Sequence, residues 1–360
     1  MLRRTFAGLA ALAAVPFMLA PVPRAEAAWS GFTQLPNTLL VSDPSCAVES
    51  RGVALCAAIG PGSDLMYSRW NGTAWSAWTE LTTVVTSTPS CTNAGSGKVV
   101  CAARDAALQL VAFRDSGGTI SSVVSVAVPA LGSGPSCAAS SGGGVLCAGR
   151  GAKGDLVAAT YNGATSWSGA DWTVLAAQPQ SVYSPVGCVA GGNAAGAVVC
   201  AWIGEGSAIS ADMYSAGAWQ GALDLGGAAT NPPACVAAAC FVTGEDSSLY
   251  FNPYSGSGWG LSSWGGWSNF GGLVHGYSCA DYAVVNQPVG LDCGVTGLID
   301  SGFWTNVYNG TSWGGWVQQG TGTYIGDPSC FELDSVVSPA GRAMCVVVQR
   351  NGRAASITGP

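Results

Sequence analysis

Val53-Ala54-Leu55-Cys56-Ala57-Ala58-Ile59, then Asp64-Leu65-Met66-Tyr67-Ser68-Arg69-Trp70, then Asn71-Gly72 and Ala74-Trp75-Ser76-Ala77-Trp78-Thr79-Glu80-Leu81, form one copy of a pattern that fills the chain. The first run is apolar at almost every position. A strand apolar on both faces must be covered on both, which stacked sheets provide. The second run ends in an aromatic residue. The Asn-Gly after it predicts a tight hairpin turn, with positive φ at both central residues. The third carries Trp-x-x-Trp. Residues three apart on a regular strand point to opposite sides, so the two indoles are expected to grip neighbours on both faces.

The same register recurs throughout. Tyr308-Asn309-Gly310-Thr311-Ser312-Trp313-Gly314-Gly315-Trp316 repeats the hairpin and the tryptophan pair, and Tyr161-Asn162-Gly163 precedes Trp167 and Trp172. Tyr214 and Trp219 follow, then Tyr254, Trp259, Trp264 and Trp267, while Phe113 to Gly118 opens a stretch without tryptophan. Fourteen cysteines keep time with the repeat. They fall in pairs: Cys46 and Cys56, Cys91 and Cys101, Cys137 and Cys147, Cys188 and Cys200, Cys235 and Cys240, Cys279 and Cys293, Cys330 and Cys345. Most first members follow a proline-centred turn, as in Asp43-Pro44-Ser45 and Asp327-Pro328-Ser329. Two cysteines per equivalent unit are most simply joined within the unit, pinning its first strand to its second. Each such bridge should contribute about 2.5–3 kcal/mol. Joining Cys235 to Cys240 leaves only Ala237-Ala238 between paired strands, a poor two-residue turn, so a distorted or longer connection is expected there.

The chain ends decide how the units are arranged. The seventh unit runs from Cys330 to Cys345, turns at Asn351-Gly352 and has residues 354–358 for a third strand, but no fourth. Ala28-Trp29-Ser30-Gly31-Phe32-Thr33-Gln34-Leu35 matches Ala74 to Leu81, the fourth strand of the first unit. An orphan fourth strand at one end and a missing one at the other predict a closed ring, which removes exposed sheet edges. The expectation is an all-β, seven-bladed β-propeller of four-stranded blades over residues 28–360, with one intra-blade disulfide in each blade.

Residues 1–27 read as a secretory signal peptide. Arg3-Arg4 is followed by an apolar run from Phe6 to about Ala20, then Ala25-Glu26-Ala27 for cleavage. The Arg pair also faintly fits a twin-arginine signal. Export to the medium, periplasm or cell surface is therefore expected, and it makes disulfides plausible. Losing that segment removes three arginines and one glutamate, taking the net charge from −7 to −9. Nucleic acid and anionic membranes are poor partners for such a surface. No later stretch is apolar for long enough to insert into a membrane as a helix.

In its proline-led turns, Asp64-Leu65, Arg69-Trp70-Asn71-Gly72 and Trp75-x-x-Trp78, and again from Tyr308 to Trp316, the chain resembles the bacterial seven-bladed PLL-type propeller lectins. More loosely it resembles fungal fucose-binding and tachylectin-like propellers. The resemblance spans nearly all of residues 28–360. It implies multivalent binding of a carbohydrate or glycoconjugate in pockets walled by tryptophan and tyrosine. The paired cysteine in every unit is not a general mark of those lectins.

Candidate ligand contacts follow. Trp70, Tyr161, Tyr214 and Tyr308 sit beside turns, where a flat ring could meet sugar C–H groups; Trp304 is a further candidate. Each of these rings has a purely structural alternative, sealing one unit against the next. Arg69 lies beside Trp70 in the resembling motif. Arg104 and Arg150 stand three residues after a second cysteine, where a guanidinium fork would suit vicinal hydroxyls, though solvated arginines are the commoner outcome. Asp64, Asp105, Asp155, Asp246 and Asp300 recur in turns and read as turn caps rather than calcium ligands. His275 is the only histidine and has no nucleophile motif beside it; no phosphate loop, dinucleotide fingerprint or H-E-x-x-H zinc motif is present. No catalytic residue, metal or cofactor is assigned. The reading is a secreted multivalent carbohydrate binder and not an enzyme. The alternatives are a structural or adhesion propeller without a sugar site and, behind it, a polysaccharide-acting enzyme whose paired carboxylates meet only in space.

Overall fold

The computed structural model describes residues 29–50, 52–191, 196–236, 239–255, 258–282, 290–309, 311–333 and 343–359. The predicted signal peptide and the Ala237-Ala238 turn lie outside them. The described chain is all-β, with only single turns of 3-10 helix between strands. In the first unit the strands Ser45–Ser50, Val53–Ile59, Asp64–Trp70 and Thr79–Val84 pair antiparallel in that order. The other units repeat this, and the 15-residue strand Ser268–Tyr282 serves both the fifth and the sixth, pairing with Ser248–Pro253 through its first part and with Gly290–Gly297 through its second. In the seventh, Tyr324–Glu332, Ala343–Gln349 and Arg353–Thr358 are followed by Thr33–Leu39 as the fourth strand, with Thr33 opposite Ser356.

All fourteen cysteines form disulfides, each within one unit. Cys46 is bonded to Cys56, Cys91 to Cys101, Cys137 to Cys147 and Cys188 to Cys200. Cys235 is bonded to Cys240, Cys279 to Cys293 and Cys330 to Cys345. The two partners stand directly opposite on a unit's first and second strands. Beyond the Cys235–Cys240 bridge the ladder continues to Val236 opposite Ala239, so only residues 237 and 238 connect the strands.

Why second strands are apolar throughout is visible in the core. Alternate side chains of Val53–Ile59 go opposite ways: Ala54, Cys56 and Ala58 join Phe331, Met344 and Val346 of the seventh unit, whereas Leu55, Ala57 and Ile59 join Val99, Ala103 and Phe113 of the second. The remaining neighbouring pairs share clusters in the same manner. In every unit the second cysteine belongs to the cluster shared with the preceding unit. Cys101 thus packs between the first and second units, Cys147 between the second and third, Cys200 between the third and fourth, and Cys293 between the fifth and sixth. Each bridge therefore also fills an interface.

A serine belt fastens the first strands. The residue before the first cysteine offers its hydroxyl oxygen to the cysteine N–H of the next unit, as Ser45 to Cys91, Ser90 to Cys137, Ser136 to Cys188 and Ser278 to Cys330, at 2.9–3.0 Å. Ser329 does the same for Cys46, across 283 positions of sequence. Gly187 and Ala234 occupy this place in the fourth and fifth units and have no hydroxyl to offer.

Two local expectations are corrected. After Trp70 and Tyr308 the third-to-fourth strand connection is no two-residue turn: Trp70 pairs with Trp75 and Tyr308 with Trp313, leaving four residues in the loop, whereas Ser116 opposite Thr119 and Ser215 opposite Ala218 do leave two. Asn71 Oδ1 accepts from the N–H groups of Thr73 and Ala74, and Asn71 N–H donates to the Ala74 carbonyl at 3.1 Å, so side chain and backbone close the turn together. Nor do the paired tryptophans face opposite ways. The backbone after Trp75 leaves strand geometry, and Trp75 and Trp78 both enter the cluster shared with the seventh unit. The Trp75 indole donates to Ser356 Oγ there at 3.1 Å.

Candidate functional site

Two equivalent clefts open between neighbouring units. The first, about 340 Å3, is lined by Ile209, Gly227 and Ala228 of the fourth unit and by Val242, Gly244, Glu245, Asp246, Tyr250 and Trp267 of the fifth. The second, about 280 Å3, lies one unit further and uses Gly272, Leu273 and Val274 against Val295, Asp300, Trp304 and Trp316. Their parts correspond. Tyr250 and Trp304 are equivalent third-strand residues, opposite Val242 and Val295, each of which stands two residues after the unit's second cysteine. Trp267 and Trp316 are the second members of tryptophan pairs.

Hydrogen bonds fix these walls. The Tyr250 hydroxyl donates to Asp246 Oδ2 at 3.0 Å, and the Trp304 indole donates to Asp300 Oδ2 at 3.1 Å. Each aspartate also caps its turn, Asp246 accepting from Ser248 N–H at 2.9 Å and Asp300 from Gly302 N–H at 2.8 Å. The bond from Ser248 N–H leads the contacts that hold the Asp246 carboxyl below its usual pKa. The Trp267 indole is aimed by its bond to the Leu225 carbonyl at 3.0 Å. Gly227 (φ +77°) and Gly272 (φ +85°) keep both clefts open, since a Cβ would stand 3.1 Å from the Trp267 ring at one and 3.3 Å from the Trp316 ring at the other.

A third recess, about 450 Å3, gathers Asp43, Asn231, His275, Tyr277 and Asp327. Asp43 accepts from the backbone N–H of Asp327, and Asp327 from that of Tyr277. Asp327 is exposed at the opening, where it and Asp43 line the same recess. Desolvation there, reinforced by the Asp43 charge, pushes its pKa up to about 7. Folding thus favours protonated Asp327, and the penalty for ionising it grows from about pH 4 to about pH 7 and is constant above. Asp327→Asn should therefore melt higher than the parent at pH 8 and level with it at pH 4. Equal shifts at both pH values in calorimetric scans would count against the pair.

Of the candidate ligand contacts read from sequence, Trp304 alone borders one of these openings. Trp70, Tyr214 and Tyr308 are half-buried, packed on Trp75, Trp219 and Trp313 at 5.6, 5.5 and 5.1 Å between ring centres. Tyr161 is a correction. It is 1% exposed, its hydroxyl receives Arg114 Nη1 at 2.7 Å and donates to the Ala164 carbonyl, so no ring face remains for a ligand.

The arginines are corrected too: they are fasteners. Arg69 pairs with buried Glu49 in its own unit and with buried Asp115 in the next. Arg104 gives Nε to Thr86 Oγ1 at 3.1 Å, Nη2 to the Thr86 carbonyl at 3.1 Å and Nη1 to the Gly132 carbonyl at 2.9 Å. Arg150 Nε reaches the Val182 carbonyl at 2.9 Å. A guanidinium beside a neighbouring unit's free carbonyls is worth more as a clip than as a solvated charge. The turn-cap reading of Asp105, Asp246 and Asp300 holds. Tyr250, with the cleft roles of Trp267 and Asp246, was missed. The signal lay in one column: the third-strand residue opposite the position two after the second cysteine is Met66, Val111, Val157, Ser210, Tyr250, Trp304 and Ala355 in turn, aromatic only twice.

No family model matches the chain, and no curated protein matches it. Solved structures do. The BP39L lectin from Burkholderia pseudomallei is similar at a TM-score of 0.67 and 13% identity, over 88% of this chain and 96% of that one. AofleA from Arthrobotrys oligospora gives 0.53 and 12%, over 78% and 87%. An Aleuria aurantia lectin mutant, solved with α-methyl-L-fucoside, gives 0.51 and 12%, over 80% and 98%. At such identities the likeness establishes the fold, that of the β-propeller lectins.

Proposed function

We propose that this is an exported carbohydrate-binding protein, a ring of seven blades closed by its own N-terminal strand, with sugar sites in the clefts between units. The observation that carries the reading is the recurrence of one cleft: two aromatic walls, a carboxylate acceptor and a glycine floor, built once around Tyr250 and Trp267 and again around Trp304 and Trp316. Aromatic planes take the C–H face of a pyranose, and a fixed carboxylate takes its hydroxyls. Pairing of Thr33–Leu39 with Arg353–Thr358 and the Ser329–Cys46 bond support closure. Likeness in fold to lectins, one of them solved with a fucoside, supports the ligand class. A glycan array with oxidised protein comprising residues 28–360 tests it. Trp267→Ala and Trp316→Ala should each weaken any hit by about tenfold, and the pair should abolish it. A hit unaffected by both changes would remove the clefts from the reading.

A second reading draws on one observation, the Asp43–Asp327 pair in the third recess. A carboxyl holding its proton near neutrality beside another carboxylate is a general-acid arrangement. Release of reducing ends from a bound glycan, lost in Asp327→Asn, would favour it over binding alone.

A further inference from the structure

Resting on the carbohydrate reading, we propose that the Tyr250–Trp267 cleft selects sugars bearing a protonated amine over N-acetylated and acidic ones. Charge distribution carries the argument. Glu245 and Asp246 both stand at the lip, and no lysine or arginine is among the lining residues. Asp246 is a fixed acceptor, held by Ser248 N–H and the Tyr250 hydroxyl. Tyr250 and Trp267 line the same space, and an ammonium group over an aromatic face is attracted by the ring quadrupole. Two carboxylates and two aromatic walls together present only negative potential to a ligand. A uronate would enter against both charges. A neutral sugar would gain the stacking but not the Coulomb attraction.

The companion cleft supplies an internal contrast. Asp300 is its only lining carboxylate, and Arg350 of the next unit reaches Ser301 Oγ at 3.2 Å, one residue away. That guanidinium offsets the Asp300 charge, so the Trp304–Trp316 cleft should discriminate less.

The test measures binding of tetraglucosamine, its fully N-acetylated counterpart and tetragalacturonate by calorimetry, at mildly acidic pH where the amine is protonated. A Trp316→Ala background isolates the first cleft. The amine should bind about tenfold tighter than the acetylated sugar at low salt, with the ratio shrinking toward one in molar salt. Glu245→Gln with Asp246→Asn, which keeps an acceptor for the turn, should bring the ratio near one at low salt as well. Equal affinity for amine and acetylated sugars would overturn the inference and leave the carbohydrate reading standing, as would tighter binding of the uronate. No binding of any of the three, with a silent glycan array, would overturn both.

Discussion

Replacing Arg69 by alanine is expected to cost about 3–5 kcal/mol, the largest effect of any single substitution at the unit interfaces. Its guanidinium is the partner of two carboxylates, Glu49 and Asp115, whose side chains are 2% and 0% exposed. Removing one member of a buried ion cluster strands the others without solvent. Even with Arg69 present, burial and then the Glu49 charge hold the Asp115 pKa above its usual value. Without Arg69 the lowering influence on Asp115 is lost, and its carboxyl should favour the protonated form further on folding. The loss should therefore be greatest near neutral pH and shrink as pH falls through the carboxylate range. Glu49→Gln with Asp115→Asn in the Arg69→Ala background should recover most of it at pH 7. A denaturant midpoint shift that is small and independent of pH would show the cluster to be a surface contact in energetic terms.

Deleting residues up to Val41 should abolish cooperative folding. That segment contributes Leu35 and Leu40 to the cluster between first and seventh units. On its other side, Phe32 stacks on Tyr324 at 4.8 Å between ring centres and meets Phe303 edge-on at 5.7 Å. Truncating each such apolar side chain costs about 2–5 kcal/mol, so losing all three reaches the whole stability of an ordinary domain. The truncated chain would also expose Arg353–Thr358 as a bare edge. A synthetic peptide of residues 28–41 should restore native circular dichroism by adding back as a strand. A truncated protein that melts as sharply as the parent would disprove closure by this strand.

Much of this was legible in the sequence, for reasons that can be named. Cysteine register, hairpin residues and the match of Trp29–Leu35 to Trp75–Leu81 are local signals repeated many times, and repetition makes weak signals additive. Side-chain direction past Trp75 was not legible, because it depends on where the backbone leaves strand geometry. Arg69, Arg104 and Arg150 were misread for a related cause: their partners, Asp115, Gly132 and Val182, belong to the adjoining unit, and no motif advertises an acceptor that topology alone brings near. The clefts share that character, since Gly227 meets Trp267 only across an interface. Comparing equivalent positions unit by unit, rather than reading along the chain, would have isolated Tyr250 and Trp304.

The serine belt runs between most neighbours but has no hydroxyl at Gly187 or Ala234, the joints on either side of the fifth unit. A Cβ at Gly187 would collide with the Pro233 carbonyl carbon and oxygen, so serine cannot be installed there without moving backbone. Mechanical compliance is consequently uneven: the fifth unit is tethered less firmly than its fellows, and it is the one that helps to wall both aromatic clefts. Slow amide exchange should be interrupted at Cys235 and Cys279, marking two soft seams along which those clefts can widen for a branched or bulky guest.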